Sequence, residues 1–202
     1  MKKLILIRHG ETNYTLKNMC CGQKDIPLNA KGIKQTQCLR YQFKDVKIDK
    51  VYTSNLKRAI QTAKIVFPNK IIHKRKDLGE IDFGQFSGLT YIEIKKLFPN
   101  SYNILINSPA KAKMPNGETM YNFAKRVEES FNKILKENTV DVIALVSHIN
   151  PIKIMLLKIL GCNLDKFWEL QQDVTAINVV KFENGKTKII KMNDTSHLKN
   201  IY

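Results

Sequence analysis

The chain is short of several things, and each shortage narrows the reading. Among 202 residues there are four cysteines, Cys20, Cys21, Cys38 and Cys162. They form no CxxC pair and no metal-ligand spacing. With no secretion signal ahead of them, they are expected to be reduced thiols in a cytoplasmic protein. Long hydrophobic runs are missing too. Leu4-Ile5-Leu6-Ile7 stops at Arg8, and Lys153 and Lys158 interrupt the stretch around Ile154-Met155-Leu156-Leu157. Neither can serve as a signal-peptide core or a transmembrane helix, so no membrane partner is expected. Acidic residues are scarce, 18 against 34 Lys and Arg, for a formal net charge of +16.

That charge invites a nucleic-acid reading. The cations, however, are overwhelmingly Lys, spread along the whole chain among many Asn and Ile, and no basic-aromatic motif of the RNA-binding kind occurs. A solvated Lys-rich surface explains them, and no nucleic-acid partner is expected. A positive field still draws in small anions. Arginine is the rare cation, with only Arg8, Arg40, Arg58, Arg75 and Arg126 present. An Arg inside a motif therefore points to its planar fork of donors.

What is there is an ordinary globular composition, 43% hydrophobic and 26% charged. Strand-like and helix-like segments alternate without a linker or repeat, which predicts one α/β domain over residues 1–202. The apolar run before Arg8 reads as a buried strand, and 12–29 as polar and irregular. Helices are expected over about 30–43 and 55–67, with short strands at 50–54 and 71–73. Thr90-x-x-Glu93 is a capping box, while 99–117, with three prolines and Gly117, reads as loop with about one helical turn. Met120, Phe123, Ala124, Val127, Phe131, Ile134 and Leu135 recur at helical spacing. The stretch 141–146 is apolar throughout, as a central parallel strand should be. Asn150 is expected to cap the next helix, with Pro151 at its first position and Gly161 closing it. Asn184-Gly185 between 176–182 and 187–192 signals a hairpin at a sheet edge. The whole predicts a three-layer sandwich: a mostly parallel sheet flanked by helices, with antiparallel strands at its edge.

In such sheets ligands bind outside the carboxyl ends of the strands. Two of the four histidines fall there: His9 after the first strand, beside Arg8, and His148 after the strand at 141–146. One histidine at a strand end is more often structural than catalytic; two at matched ends, with Arg58 near a third, point to a site for a dianion. Guanidinium groups donate bidentate, charge-assisted bonds to phosphoryl oxygens, and a helix amino terminus near Asn150 adds free N–H groups. Glu80, in a Gly-punctuated loop, is a carboxyl that burial could raise into use as a general acid.

These residues carry a resemblance. The chain is similar to the histidine phosphatase superfamily, the phosphoglycerate mutase-like proteins, through Arg8-His9-Gly10-Glu11-Thr12, Gly22 with Asp25-Ile26-Pro27-Leu28, and Ser54-x-Leu56-x-Arg58-Ala59-x-Gln61-Thr62-Ala63. Leu78-x-Glu80-x-x-x-Gly84-x-x-x-Gly88-Leu89, Gly117-Glu118 and Val146-Ser147-His148 follow in family order. The resemblance implies a nucleophile at His9 forming a phosphohistidine, a phosphoryl cage of Arg8, Arg58 and His148 with His148 as a cation, and a proton donor at Glu80. It extends substrate binding to Thr15, Gly22, Gln23 and Ile149, and implies no metal and no cofactor. A small helical or loop insertion around 85–118 is expected to cover the site.

Two places depart from the family pattern. Thr15 stands where Asn is usual, which weakens or rearranges phosphate binding, and Ile149 stands where Gly is usual, which narrows the pocket. The chain lacks the enclosing insertion a mutase needs, which favours a phosphatase acting on a small phosphorylated metabolite. The length and the stretch from Phe167-Trp168-Glu169-Leu170 to Ala176-Ile177-Asn178 resemble α-ribazole-5′-phosphate phosphatases of cobalamin synthesis. Phosphoglycerate mutase and broad-specificity sugar-phosphate or phosphoserine phosphatase are the alternatives within the family; a homodimer is compatible with all of them. Outside it stand a two-His-one-carboxylate metal site, which Arg8 and Arg58 would repel, and a non-catalytic anion or nucleic-acid binder.

Overall fold

The computed structural model describes residues 2–183 and 185–199. Its elements in chain order are β1 (Lys3–Arg8), α1 (Asn13–Leu16), α2 (Ala30–Tyr41), β2 (Lys50–Ser54), α3 (Lys57–Val66) and β3 (Ile72–Arg75). They continue with α4 (Tyr91–Leu97), α5 (Pro99–Asn107), α6 (Met120–Glu137), β4 (Val142–Ser147), α7 (Ile149–Leu160), β5 (Ile177–Glu183) and β6 (Lys186–Asp194). The six strands form one sheet in the order β3-β2-β4-β1-β5-β6. The first four named are mutually parallel, and β5 and β6 add antiparallel at one edge. This is the expected α/β architecture. No helix among the described residues is long and apolar enough to cross a membrane.

The near-continuous apolar strands explain the three layers. Successive side chains of a strand point to opposite faces. In β1, Leu4 and Leu6 join one core with Phe123, Val127 and Phe131 of α6 and Ile152, Met155 and Leu156 of α7. Ile5 and Ile7 join the other core with Leu39 of α2 and Ala59, Ala63 and Val66 of α3. A strand buried on both faces cannot alternate with polar residues, and β1 and β4 do not.

Local differences from expectation have local causes. The segment 99–117 holds a full nine-residue helix, α5, where loop was expected. Its prolines bracket the helix: Pro99 sits in the first turn, where the missing N–H has no intrahelical acceptor to lose, and Pro109 comes after its end. Helix α7 begins two residues earlier than expected. His148 is its cap, so Ile149 and Asn150 are its first two residues and Pro151 still lies in the first turn. Gly161, at φ 67°, closes it as expected. Of the expected hairpin turn, Gly185 has φ 72°, and Asn184 lies outside the described residues.

Gly10 and Gly32 are required by close approach. A Cβ on Gly32 would stand 2.1 Å from the Glu11 carbonyl oxygen, and one on Gly10 would stand 2.7 Å from the Gly32 oxygen. The loop after β1 therefore packs backbone to backbone on α2. Glu11 also holds the start of that helix through Asn29, whose Nδ2 donates to the Glu11 carboxylate at 2.9 Å.

Candidate active site

Register places the site. Arg8 of β1 pairs with Ser147 of β4, so His9 and His148, one residue further on, emerge side by side, with ring centroids 5.1 Å apart at 62°. On the other side of β4, Thr53 of β2 pairs with Val146. Ser54 thereby reaches His148, and α3 starts close enough to bring in Arg58. Glu80 follows β3 after a 3-10 turn at Lys76–Leu78. Residues far apart in sequence thus meet at the carboxyl edge of the sheet. They surround a cavity of about 280 Å³ lined by Arg8, His9, Arg58, Glu80, Ile149 and Asn150, among others.

His9 is held in one tautomer. Its Nδ1 lies 2.7 Å from the Gly10 carbonyl oxygen, an acceptor only, so Nδ1 carries the proton and Nε2 keeps its lone pair. Burial foremost, then the positive fields of Arg58 and Arg8, hold its pKa well below 6.5. The ring is neutral and its free nitrogen is nucleophilic.

His148 corrects an expectation. It was expected to contribute a cation, but the Arg58 Nε–H donates to its Nδ1 at 3.1 Å, and its Nε2–H points to Ser54 Oγ at 2.8 Å. With a guanidinium on one nitrogen the imidazole accepts there and is neutral. Burial and the Arg58 charge push its pKa well below 6.5. Both ring nitrogens are engaged, which leaves neither for a metal ion, and the two arginines make the pocket repel cations.

Arg58 is 1% exposed. Besides His148 it donates to the Lys24 carbonyl at 2.7 Å and the Gly22 carbonyl at 2.8 Å. That leaves two of its five N–H groups for a ligand. Arg8 donates to the Gln172 carbonyl, and its buried Nε has no partner. Burial, against the opposing charges of Glu80 and Asp173, lowers its pKa to about 10, so it remains a cation near neutrality. Ile149 and Asn150, opening α7, present first-turn amides that have no intrahelical acceptor. The helix dipole puts partial positive charge at the same spot.

Glu80 is buried, and burial raises its pKa above the usual carboxyl value. The Ile81 N–H, the Arg58 charge and a hydrogen bond from Asn150 oppose that rise. Arg126 secures the loop: it forms a two-pronged pair with Glu118, both contacts 2.8 Å, and donates to the Asp77, Gly79 and Glu80 carbonyls. This accounts for Gly117-Glu118 as part of the pattern.

The remaining expected residues divide. Thr15 and Ile149 line the cavity, but the Thr15 hydroxyl donates to the Thr12 carbonyl at 2.9 Å. Gly22 and Gln23 brace the site from outside the lining: the Gly22 carbonyl accepts from Arg58, and Gln23 Nε2 donates to the Glu80 carbonyl at 3.2 Å. Sequence reasoning missed Ser54, Tyr91 and Asn150 as parts of the site, the last because a capping role accounted for it. It also passed over Lys153, whose only signal is a charge placed among the apolar residues of this helix. Among the described residues no cluster of three or more His, Cys, Asp or Glu is placed to hold a metal ion.

Comparison with known proteins agrees with this geometry. The family described as Histidine phosphatase superfamily (branch 1) matches residues 4–195. Phosphoserine phosphatase 1 of Hydrogenobacter thermophilus is 30% identical over 204 residues, covering 100% of this chain and 97% of its own. Adenosylcobalamin/alpha-ribazole phosphatase of Escherichia coli is 28% identical over 173 residues, covering 85% of each. A phosphoserine phosphatase from Entamoeba histolytica, solved with phosphoserine, superposes with TM-score 0.89 at 30% identity, over 98% of this chain and 100% of that one.

Proposed function

From the premise that this chain belongs to the histidine phosphatase superfamily and is a phosphoric monoester hydrolase, we propose that it cleaves a small phosphomonoester in two steps through a phosphohistidine on His9. The observation that carries this reading is the His9 tautomer: Nδ1 donates to Gly10 at 2.7 Å, and Nε2 is left free beside two arginines.

In the first step Nε2 attacks phosphorus and the ester P–O bond breaks. Glu80, whose pKa burial raises, gives its proton to the departing oxygen. In the second step water attacks the phosphohistidine, the P–N bond breaks, and the Glu80 carboxylate takes the proton from water. Inorganic phosphate leaves and neutral His9 returns. Arg8, Arg58 and the amides opening α7 balance the charge on the equatorial oxygens, the main protein contribution to phosphoryl transfer. His148 stays neutral: its Nδ1 accepts from Arg58 Nε–H and so holds that guanidinium toward the phosphoryl oxygens.

In this reading residues 1–202 work as one domain, with the helical segment around 85–118 over the site. The partner is a small phosphorylated metabolite in the cytoplasm, with no nucleic acid, membrane, metal or cofactor, and a homodimer is compatible. α-Ribazole-5′-phosphate and phosphoserine are the two leaving-group candidates drawn from the relatives. A panel of these esters with 3-phosphoglycerate and sugar phosphates tests the assignment. His9→Ala is expected to abolish phosphate release and the acid-labile phosphoenzyme while keeping the thermal unfolding midpoint. Turnover by this variant at the wild-type rate refutes the mechanism.

A further inference from the structure

One buried cation beside the site has no task in the reaction above. Lys153 is 4% exposed, whereas its neighbours Ile152, Ile154, Met155 and Leu156 fill core positions with apolar side chains. It lies four residues after Ile149 and three after Asn150, on the helix face that carries both toward the cavity. Helical side chains lean toward the amino end, so its stem runs back toward the turn that opens α7.

The surroundings of its ammonium are specific. Nζ stands 4.8 Å from the Phe167 ring centroid and 5.0 Å from that of Trp168. Trp168 lines the cavity together with Tyr91, and the two rings meet edge-on at 5.9 Å. The Trp168 indole N–H donates to the Leu105 carbonyl at 2.9 Å, which fixes its plane. The charges that reach Lys153 are Arg8, which repels it, and Glu80, which attracts it; burial and Arg8 lower its pKa to about 8. It forms no ion pair with any described carboxylate. Two aromatic faces offset part of the desolvation of a cation, but not the lack of a counter-ion. Lys153 is not itself among the residues lining the cavity, but Trp168, which its ammonium faces, is; a buried charge in that condition next to a cleft is a candidate ligand position.

We propose that Lys153, with Trp168 and Tyr91, forms a second anion subsite that takes a carboxylate on the alcohol half of the substrate, so that the preferred substrates are short phosphorylated hydroxy acids. This rests on the phosphatase reading above. One ammonium between aromatic walls matches a monoanion, and a second phosphoryl group would bring two charges to a single cation. The cavity, about 280 Å³, sits at or below the ~300–1,000 Å³ of sites for drug-sized ligands. That favours a substrate of a few carbons over a phosphorylated nucleoside.

The test uses ester pairs that differ in the carboxylate: phosphoserine against phosphoethanolamine, and 3-phosphoglycerate against glycerol 1-phosphate. Wild-type protein is expected to prefer the carboxylate member of each pair at least tenfold in kcat/KM. Lys153→Met is expected to bring both ratios toward one, with the loss in KM, and Lys153→Arg to keep part of the preference. Equal wild-type rates within each pair overturn the subsite and leave the phosphatase reading standing, and this result does not depend on how any variant folds. An equal loss on both members in Lys153→Met overturns it as well, since a structural role acts that way. Preference for α-ribazole-5′-phosphate over all four does the same. Release of phosphate from none of these esters, nor from p-nitrophenyl phosphate, overturns both readings.

Discussion

Acidification offers a sharp test of the His148 arrangement. With Arg58 Nε–H donating to Nδ1 at 3.1 Å and Ser54 Oγ against Nε2 at 2.8 Å, the folded protein holds this ring neutral, with its pKa well below 6.5. The unfolded chain has no such constraint and takes a proton near pH 6.5. A depressed native pKa means that unfolding takes up a proton on the acid side. Stability is full above about pH 7.5, falls as pH passes 6.5, and keeps falling until the native value is reached. For one site with unfolded pKa of about 6.5 and a native pKa below this pH range, the loss between pH 7.5 and 5.5 is RT ln(11/1.1), about 1.4 kcal/mol. His9 is held down in the same way, so the two sites together contribute about 2.7 kcal/mol. Urea unfolding at the two pH values, with m unchanged and no phosphate in the buffer, measures this. His148→Gln is expected to show a pH-linked loss about 1.4 kcal/mol smaller than wild type, whatever its absolute stability. An identical loss in the two proteins refutes a neutral, Arg58-bonded His148.

Two further outcomes follow from the same geometry. Glu80→Gln is expected to slow alkyl phosphates by about 10²–10⁴-fold and aryl phosphates, whose leaving oxygen needs no proton, by much less. Burst kinetics measure this, and an equal loss on both classes refutes the acid role. Because the acid must be protonated to act, the wild-type burst rate is expected to fall as pH rises through the raised Glu80 pKa, and the variant to lose that limb. Gly32→Ala is expected to cost about 1–3 kcal/mol or more, since its Cβ meets the Glu11 oxygen at 2.1 Å and nitrogen at 2.8 Å. An unchanged urea midpoint shows that the loop after β1 does not pack this way.

Much of the architecture was legible because it follows from local pattern. An apolar run on both faces means a central strand, and the polar residues that end β1 and β4 mark the edge where chemistry collects. Thr90 with Glu93 forms the capping box as read. Where loop was expected over 99–117 the structure has a helix, because Pro99 fits its first turn rather than breaking it. Asn150 was assigned to capping because its residue type fits a cap, but its side chain turns to Glu80.

The sequence by itself determined the fold class, the two histidines at matched strand ends and the arginines and carboxyl that attend them, because strand periodicity and residue chemistry are local properties. Tertiary structure decided what state those groups are in. The Arg58–His148 bond joins residues 90 apart, and it makes His148 neutral where its position alone pointed to a cation. Gly22 and Gln23 became braces, and Lys153 became a buried cation facing aromatic rings. Protonation, hydrogen-bond direction and burial depend on which distant groups a side chain meets, and no local pattern records that.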